Sequence, residues 1–124
     1  MKSVTAMREA AIAPVLAGEQ ILSFQEVIRR VPVADHVFDY AKRIVRATRN
    51  GQPDSMEDVT HWTVWGAGPR ASINLIAAAR ARAVIRGEVH VSTEDVAGVA
   101  RPVLRHRMGL NFSAQAEGDW VPPC

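Results

Sequence analysis

The residues best placed to do chemistry lie in "WGAGPRASINLIAAARARAVIRG", Trp65 to Gly87. Gly68 and Pro69 stand at the mouth of a long alanine-rich segment. They occupy the N-cap and N1 places, where a proline gives up no hydrogen bond. Arg70 follows directly. A cation at a helix start opposes the macrodipole, so its presence calls for a reason. Helix starts attract anions, and an arginine there adds a forked donor beside unpaired backbone N–H groups. The chemistry on offer is phosphate recognition. The plainer alternative is a surface arginine bonded to a nearby loop carboxylate such as Glu57 or Asp58.

Other motifs offer less. Gly66, Gly68 and Ala71 match G-x-G-x-x-A, the loosest form of the dinucleotide fingerprint, and Glu88 lies near the place of a ribose-binding acid. That fingerprint needs a buried strand before it and a parallel strand after its helix. Here a polar, tryptophan-bearing loop precedes it and a capped helix follows. No glycine is followed by lysine, so no G-x-x-x-x-G-K-[ST] loop cradles a phosphate. His36, His61, His90 and His106 are scattered without i,i+4 pairing and have no thiol partners, so no metal site is expected. No serine sits in a nucleophile elbow, and no Cys–His pair is available. The cluster "RPVLRHR", Arg101 to Arg107, is either a solvated helix end or an anion- or partner-binding patch.

Four amphipathic helices must position these residues. In the first, beginning near Glu19, Ile21, Phe24, Val27, Ile28 and Val31 share one face and are expected to be buried; Pro32 stops it. The second runs from about Asp35 to Arg49, with Val37, Phe38, Ala41, Ile44, Val45 and Thr48 as its inner stripe. "NGQPDS" breaks the chain. "MEDVTHWTVW", Met56 to Trp65, reads as a short strand or an irregular loop, and a connection this long in a compact domain is often functional. The third helix is the one quoted above, ended by Gly87 at C′. The fourth opens on Ser92, with Asp95 closing a shortened capping box and Val91 and Val96 in the staple positions. Val96, Val99, Ala100 and Val103 form its stripe, and Pro102 is expected to kink or restart it.

Bulk properties agree with a single helical domain. The chain has 124 residues, is 48% hydrophobic and carries a formal charge of +2, too little to argue for nucleic acid. The lone cysteine is Cys124, which leaves no internal disulfide. No apolar run approaches the roughly 18–20 residues of a membrane span. Arg8 and Glu9 interrupt the apolar N-terminal stretch, which argues against a signal peptide. Residues 1–17 read as a linker or entry helix, 18–110 as the helical domain and 111–124 as a tail. Both ends read as boundaries of a piece.

"RRVPVADHVFDYAKRIVRATR", "WGAGPRASINLIAAARARAVIRGEVHVSTEDVAGVARPVLRHR" and "NFSAQAEG" together resemble the C-terminal lid of MoxR-type AAA+ ATPases, from about Ala17 to Gly118. The order of G-x-G-P-R-A, V-x-x-x-D-V and V-L-R-H-R carries the resemblance. It implies an all-α fold, a small four-helix bundle of the AAA+ lid type with a short irregular or β segment before the third helix. It also implies that Arg70 is the sensor-2 arginine, reaching the phosphates of bound ATP, with Gly68 and Pro69 shaping the helix start. ATP and Mg2+ would belong to the full-length protein, and this fragment alone would neither bind them tightly nor be active. Implied partners are the P-loop core of the same protein, neighbouring subunits of a ring, usually a hexamer, and a von Willebrand A-domain protein. The family acts as chaperone-like remodellers, here expected in the cytoplasm. The Walker A, Walker B, sensor-1 and arginine-finger elements lie in a core this chain lacks. Ala34 stands where many family lids carry Ser or Asp, which weakens one cap. The competing reading is a free-standing helical interaction or nucleic-acid module built on Arg43, Arg46, Arg49 and the Arg101–Arg107 cluster.

Overall fold

The computed structural model describes residues 12–116. The linker or entry helix expected over 1–17 falls mostly outside them, and 12–17 carry no helix. In chain order the elements are α1 (Gly18–Arg30), α2 (Asp35–Ala47), α3 (Glu57–Trp62), β1 (Thr63–Trp65), α4 (Pro69–Ile85), α5 (Thr93–Leu104), β2 (Gly109–Leu110) and α6 (Phe112–Ala116). The four long helices are those read from the sequence. The fold is helical, with one small sheet in which β1 and β2 pair antiparallel.

The core forms where α2 and α5 close on α4. Ala71, Leu75, Ala79 and Ala83 recur at four-residue steps on α4 and are all buried. Three alanines in that row let neighbouring backbones approach, and Val37, Ala41 and Val45 of α2 and Val96 of α5 fill the space. Phe38 and Ile44 pack at its edge.

Local signals end the helices as their chemistry demands. Gly87 adopts φ 76°, the left-handed conformation that favours glycine. Its N–H donates to Val84 O at 3.0 Å, and Glu88 N–H donates to Ala83 O at 2.9 Å, which closes a Schellman motif. At the start of α5, Ser92 Oγ accepts from Asp95 N–H at 3.2 Å, and Ser92 N–H donates to Asp95 Oδ2 at 3.0 Å. Val91 and Val96 are both buried, as a staple requires.

The structure narrows two expectations and corrects a third. α5 runs through Pro102 to Leu104 without restarting. Only the Gly98 carbonyl loses a partner there, close to the helix end. The segment read as strand or loop over 56–65 makes a six-residue helix and then a three-residue strand. The strand was one of the two readings of this segment, and its partner, β2, lies far along the chain. The apolar face of α1 is not covered: Ile21, Phe24 and Val27 are 46%, 51% and 52% exposed, and α1 packs chiefly on α4. Of the five residues expected on that face only Val31, just past the helix end, is buried.

Candidate functional site

The loop before α4 is built into the end of α2. The Thr48 hydroxyl, itself buried, donates to Val45 O at 2.7 Å and accepts from Ala67 N–H at 2.9 Å. Arg49 Nε donates to Ala67 O at 3.0 Å. Ala67 is fully buried between these bonds. Gly66 lies so close to the Thr48 carbonyl that a Cβ would overlap backbone atoms. The glycine that tempted a dinucleotide reading therefore serves a close backbone approach. Gly66→Ala is expected to cost about 1–3 kcal/mol, the usual range for overpacking, read as a lower urea midpoint for the 124-residue chain.

That pinning fixes where α4 starts. Gly68 is its N-cap, with extended φ −78° and ψ 177°, and Pro69 is N1. A Cβ on Gly68 would meet nothing within 4 Å, so the space beside it is open. Arg70 is exposed in the first turn. Among the described residues it makes no ion pair, and neither Glu57 nor Asp58 reaches it. The alternative of a loop-bonded surface arginine is thereby removed.

Arg70 faces an open depression of about 580 Å³, lined by Trp65, Gly66, Gly68, Pro69, Ala71, His106 and Arg107 besides itself. The structure thus brings together the three site residues read from the sequence, Gly68, Pro69 and Arg70, and adds His106 and Arg107 from "RPVLRHR". Their arrival depends on the sheet. Arg107 N–H donates to Leu104 O at 2.8 Å, closing the turn after α5. Gly109 then pairs with Trp65, and the indole lies against it. Asn111 N–H donates to Trp62 O at 2.9 Å. Among the described residues no carboxylate lines the depression. Its arginine donors suit an anion.

Elsewhere two arginines converge with their counterion in place. Asp95, 1% exposed, sits 3.1 Å from Arg86 Nη1 and 3.5 Å from Arg82 Nε. Burial opposes its ionisation, but the hydrogen bonds from Ser92 and the Arg86 guanidinium outweigh that and hold the carboxyl below its usual range. The sequence shows Asp95 as a capping residue; its arginine partners come from the end of α4, Arg86 directly before Gly87 and Arg82 about one turn further back.

The basic residues of the competing module are partly committed. Arg46 pairs with Asp54 at 2.9 Å, Arg43 lies 5.8 Å over the Tyr40 ring and Arg49 holds Ala67. Among the described residues no group of His, Cys, Asp and Glu could hold a metal ion, and no helix is long and apolar enough to cross a membrane.

Comparison with known proteins places this geometry in context. The AAA lid domain family model matches residues 55–122. "Chaperone MoxR1" of Mycobacterium tuberculosis is 42% identical over 106 residues, which is 81% of this chain and 28% of that protein. "Uncharacterized protein YeaC" of Bacillus subtilis is 33% identical over 107 residues, 86% of this chain and 31% of that one. A crystal structure of a candidate ATPase from Cytophaga hutchinsonii superposes with a TM-score of 0.75 at 33% identity, covering 81% of this chain and 30% of that chain. The chain spans under a third of the curated relatives it matches.

Proposed function

Since the chain belongs to the AAA lid domain family and is a lid of the MoxR type, we propose that it works as the C-terminal lid of a longer ATP-hydrolysing protein, with Arg70 as the sensor-2 arginine. The observation that carries the reading is an exposed, unpaired arginine in the first turn of a helix whose start is bolted to its neighbour. A guanidinium held on a rigid element can meet charge on a phosphoryl group and transmit it to the whole helix.

Nucleotide would supply the phosphoryl group to be transferred. Arg70 would bind its phosphates, Gly68 would leave room for them, and Pro69 would set the helix start. Magnesium, with no carboxylate of the described residues lining the depression, would be held by the P-loop core. The uncovered face of α1 suits packing against that core or against a neighbouring subunit of a ring, with the hexamer as the expected form. On this reading the protein is a chaperone-like remodeller of the cytoplasm, with a von Willebrand A-domain protein among its partners. ATP turnover by the full-length protein carrying Arg70→Ala tests it: a loss supports the sensor role, and unchanged turnover ends it.

A further inference from the structure

We propose that Arg107 is a second polyphosphate-binding residue, which with Arg70 grips the same nucleotide in the depression that both line. This rests on the nucleotide-facing reading of Arg70 and extends it to a residue 37 positions along the chain, the difference between 107 and 70.

The molecule holds two arginine pairs in different surroundings. Arg82 and Arg86 converge on Asp95, and the buried carboxylate neutralises them. Arg70 and Arg107 line one depression together, with His106 beside them and no carboxylate among the lining residues. Neither makes an ion pair among the described residues. Bringing like charges to one concavity raises the free energy unless an anion joins them, and a concavity concentrates their field. A polyphosphate would give the second pair the counter-charge that Asp95 gives the first.

Arg107 is not at the mercy of a loose tail. Its backbone closes a hydrogen-bonded turn on buried Leu104, Met108 packs on the core, and Gly109 and Leu110 pair with β1. Trp65 against Gly109 clamps the turn beside the start of α4. Two guanidinium forks on separate elements grip adjacent phosphates better than a single fork, because each can bond two oxygens. Arg105, two residues earlier, is exposed but does not line the depression. It provides the control for charge alone.

The experiment is equilibrium binding of a slowly hydrolysed ATP analogue and of adenosine to the full-length protein. Arg107→Ala is expected to weaken the analogue about tenfold, the scale of one charge-assisted contact, and to leave adenosine binding as it was. Arg107→Lys should fall between, and Arg105→Ala should match wild type. The proposal is overturned if Arg107→Ala binds the analogue normally. It is equally overturned if Arg105→Ala weakens the analogue as much, or if adenosine is lost in parallel. Arg70→Ala separates the two levels. If it lowers turnover while Arg107→Ala leaves binding intact, the sensor reading stands and the second grip is wrong. If Arg70→Ala leaves turnover unchanged, both fall.

Discussion

ATP turnover by the full-length protein carrying Arg70→Ala is expected to drop at least about tenfold, and by more if Arg70 meets charge that develops during phosphoryl transfer. The prediction is sharp because the substitution has no structural excuse. Arg70 is exposed, unpaired among the described residues and set in the first turn of α4. Alanine is the better helix former, and removing a cation from a helix N-terminus relieves an unfavourable dipole interaction. Thermal stability of the variant should therefore equal or slightly exceed that of wild type. Lower turnover with undiminished stability identifies a residue kept for function at a small cost to the fold. Arg70→Lys should recover only part, because lysine keeps the charge and loses the planar fork.

Asp95→Ala is expected to destabilise the lid by about 3 kcal/mol, from about 1 kcal/mol for the lost cap and about 2 kcal/mol for the charged hydrogen bond to Arg86. Arg82 and Arg86 are 41% and 38% exposed, so water takes up their charge and the penalty stays below that of a fully buried broken pair. Asp95→Asn should lose less, since its carbonyl oxygen can still accept from the Ser92 N–H. Urea unfolding of the 124-residue chain measures both. The pH dependence has a definite sign. The Asp95 carboxyl is lowered in the folded state, so its contribution is complete above the ordinary carboxylate range. It fades as pH falls below about 4, through the folded value. The wild-type advantage over Asp95→Asn should shrink in that acid window and be constant above it. A gap that does not change with pH would mean that the ionised form of Asp95 adds nothing.

The two sites explain each other. Both place arginines where helix and turn converge, and only one contains its counterion. The Asp95 cluster ties the end of α4 to the start of α5 through Arg86 and Ser92. The Thr48 and Arg49 bonds tie the beginning of α4 to the end of α2. α4 is thus anchored at both ends, which is what a helix needs if a load on Arg70 is to move the lid as a unit.

The sequence by itself determined whatever a few neighbouring residues can decide. Pro69 and Gly87 bound α4, Ser92 and Asp95 cap α5, and the spacing of Val37, Ala41 and Val45 sets the buried side of α2. Those signals are steric and hydrogen-bonding constraints that act within one or two turns, so they can be read without the fold. Only the tertiary structure decided what distant segments do to each other. It paired β1 with β2, and it placed His106 and Arg107 in the depression that Arg70 lines. It brought Arg82 and Arg86 to Asp95. It also left the face of α1 uncovered, because a periodic pattern states that a face is apolar without naming the surface that meets it. Arg70 was legible as an odd charge at a helix start. That it shares its depression with a second unneutralised arginine was not, because their encounter depends on strand register and on no local preference of either residue.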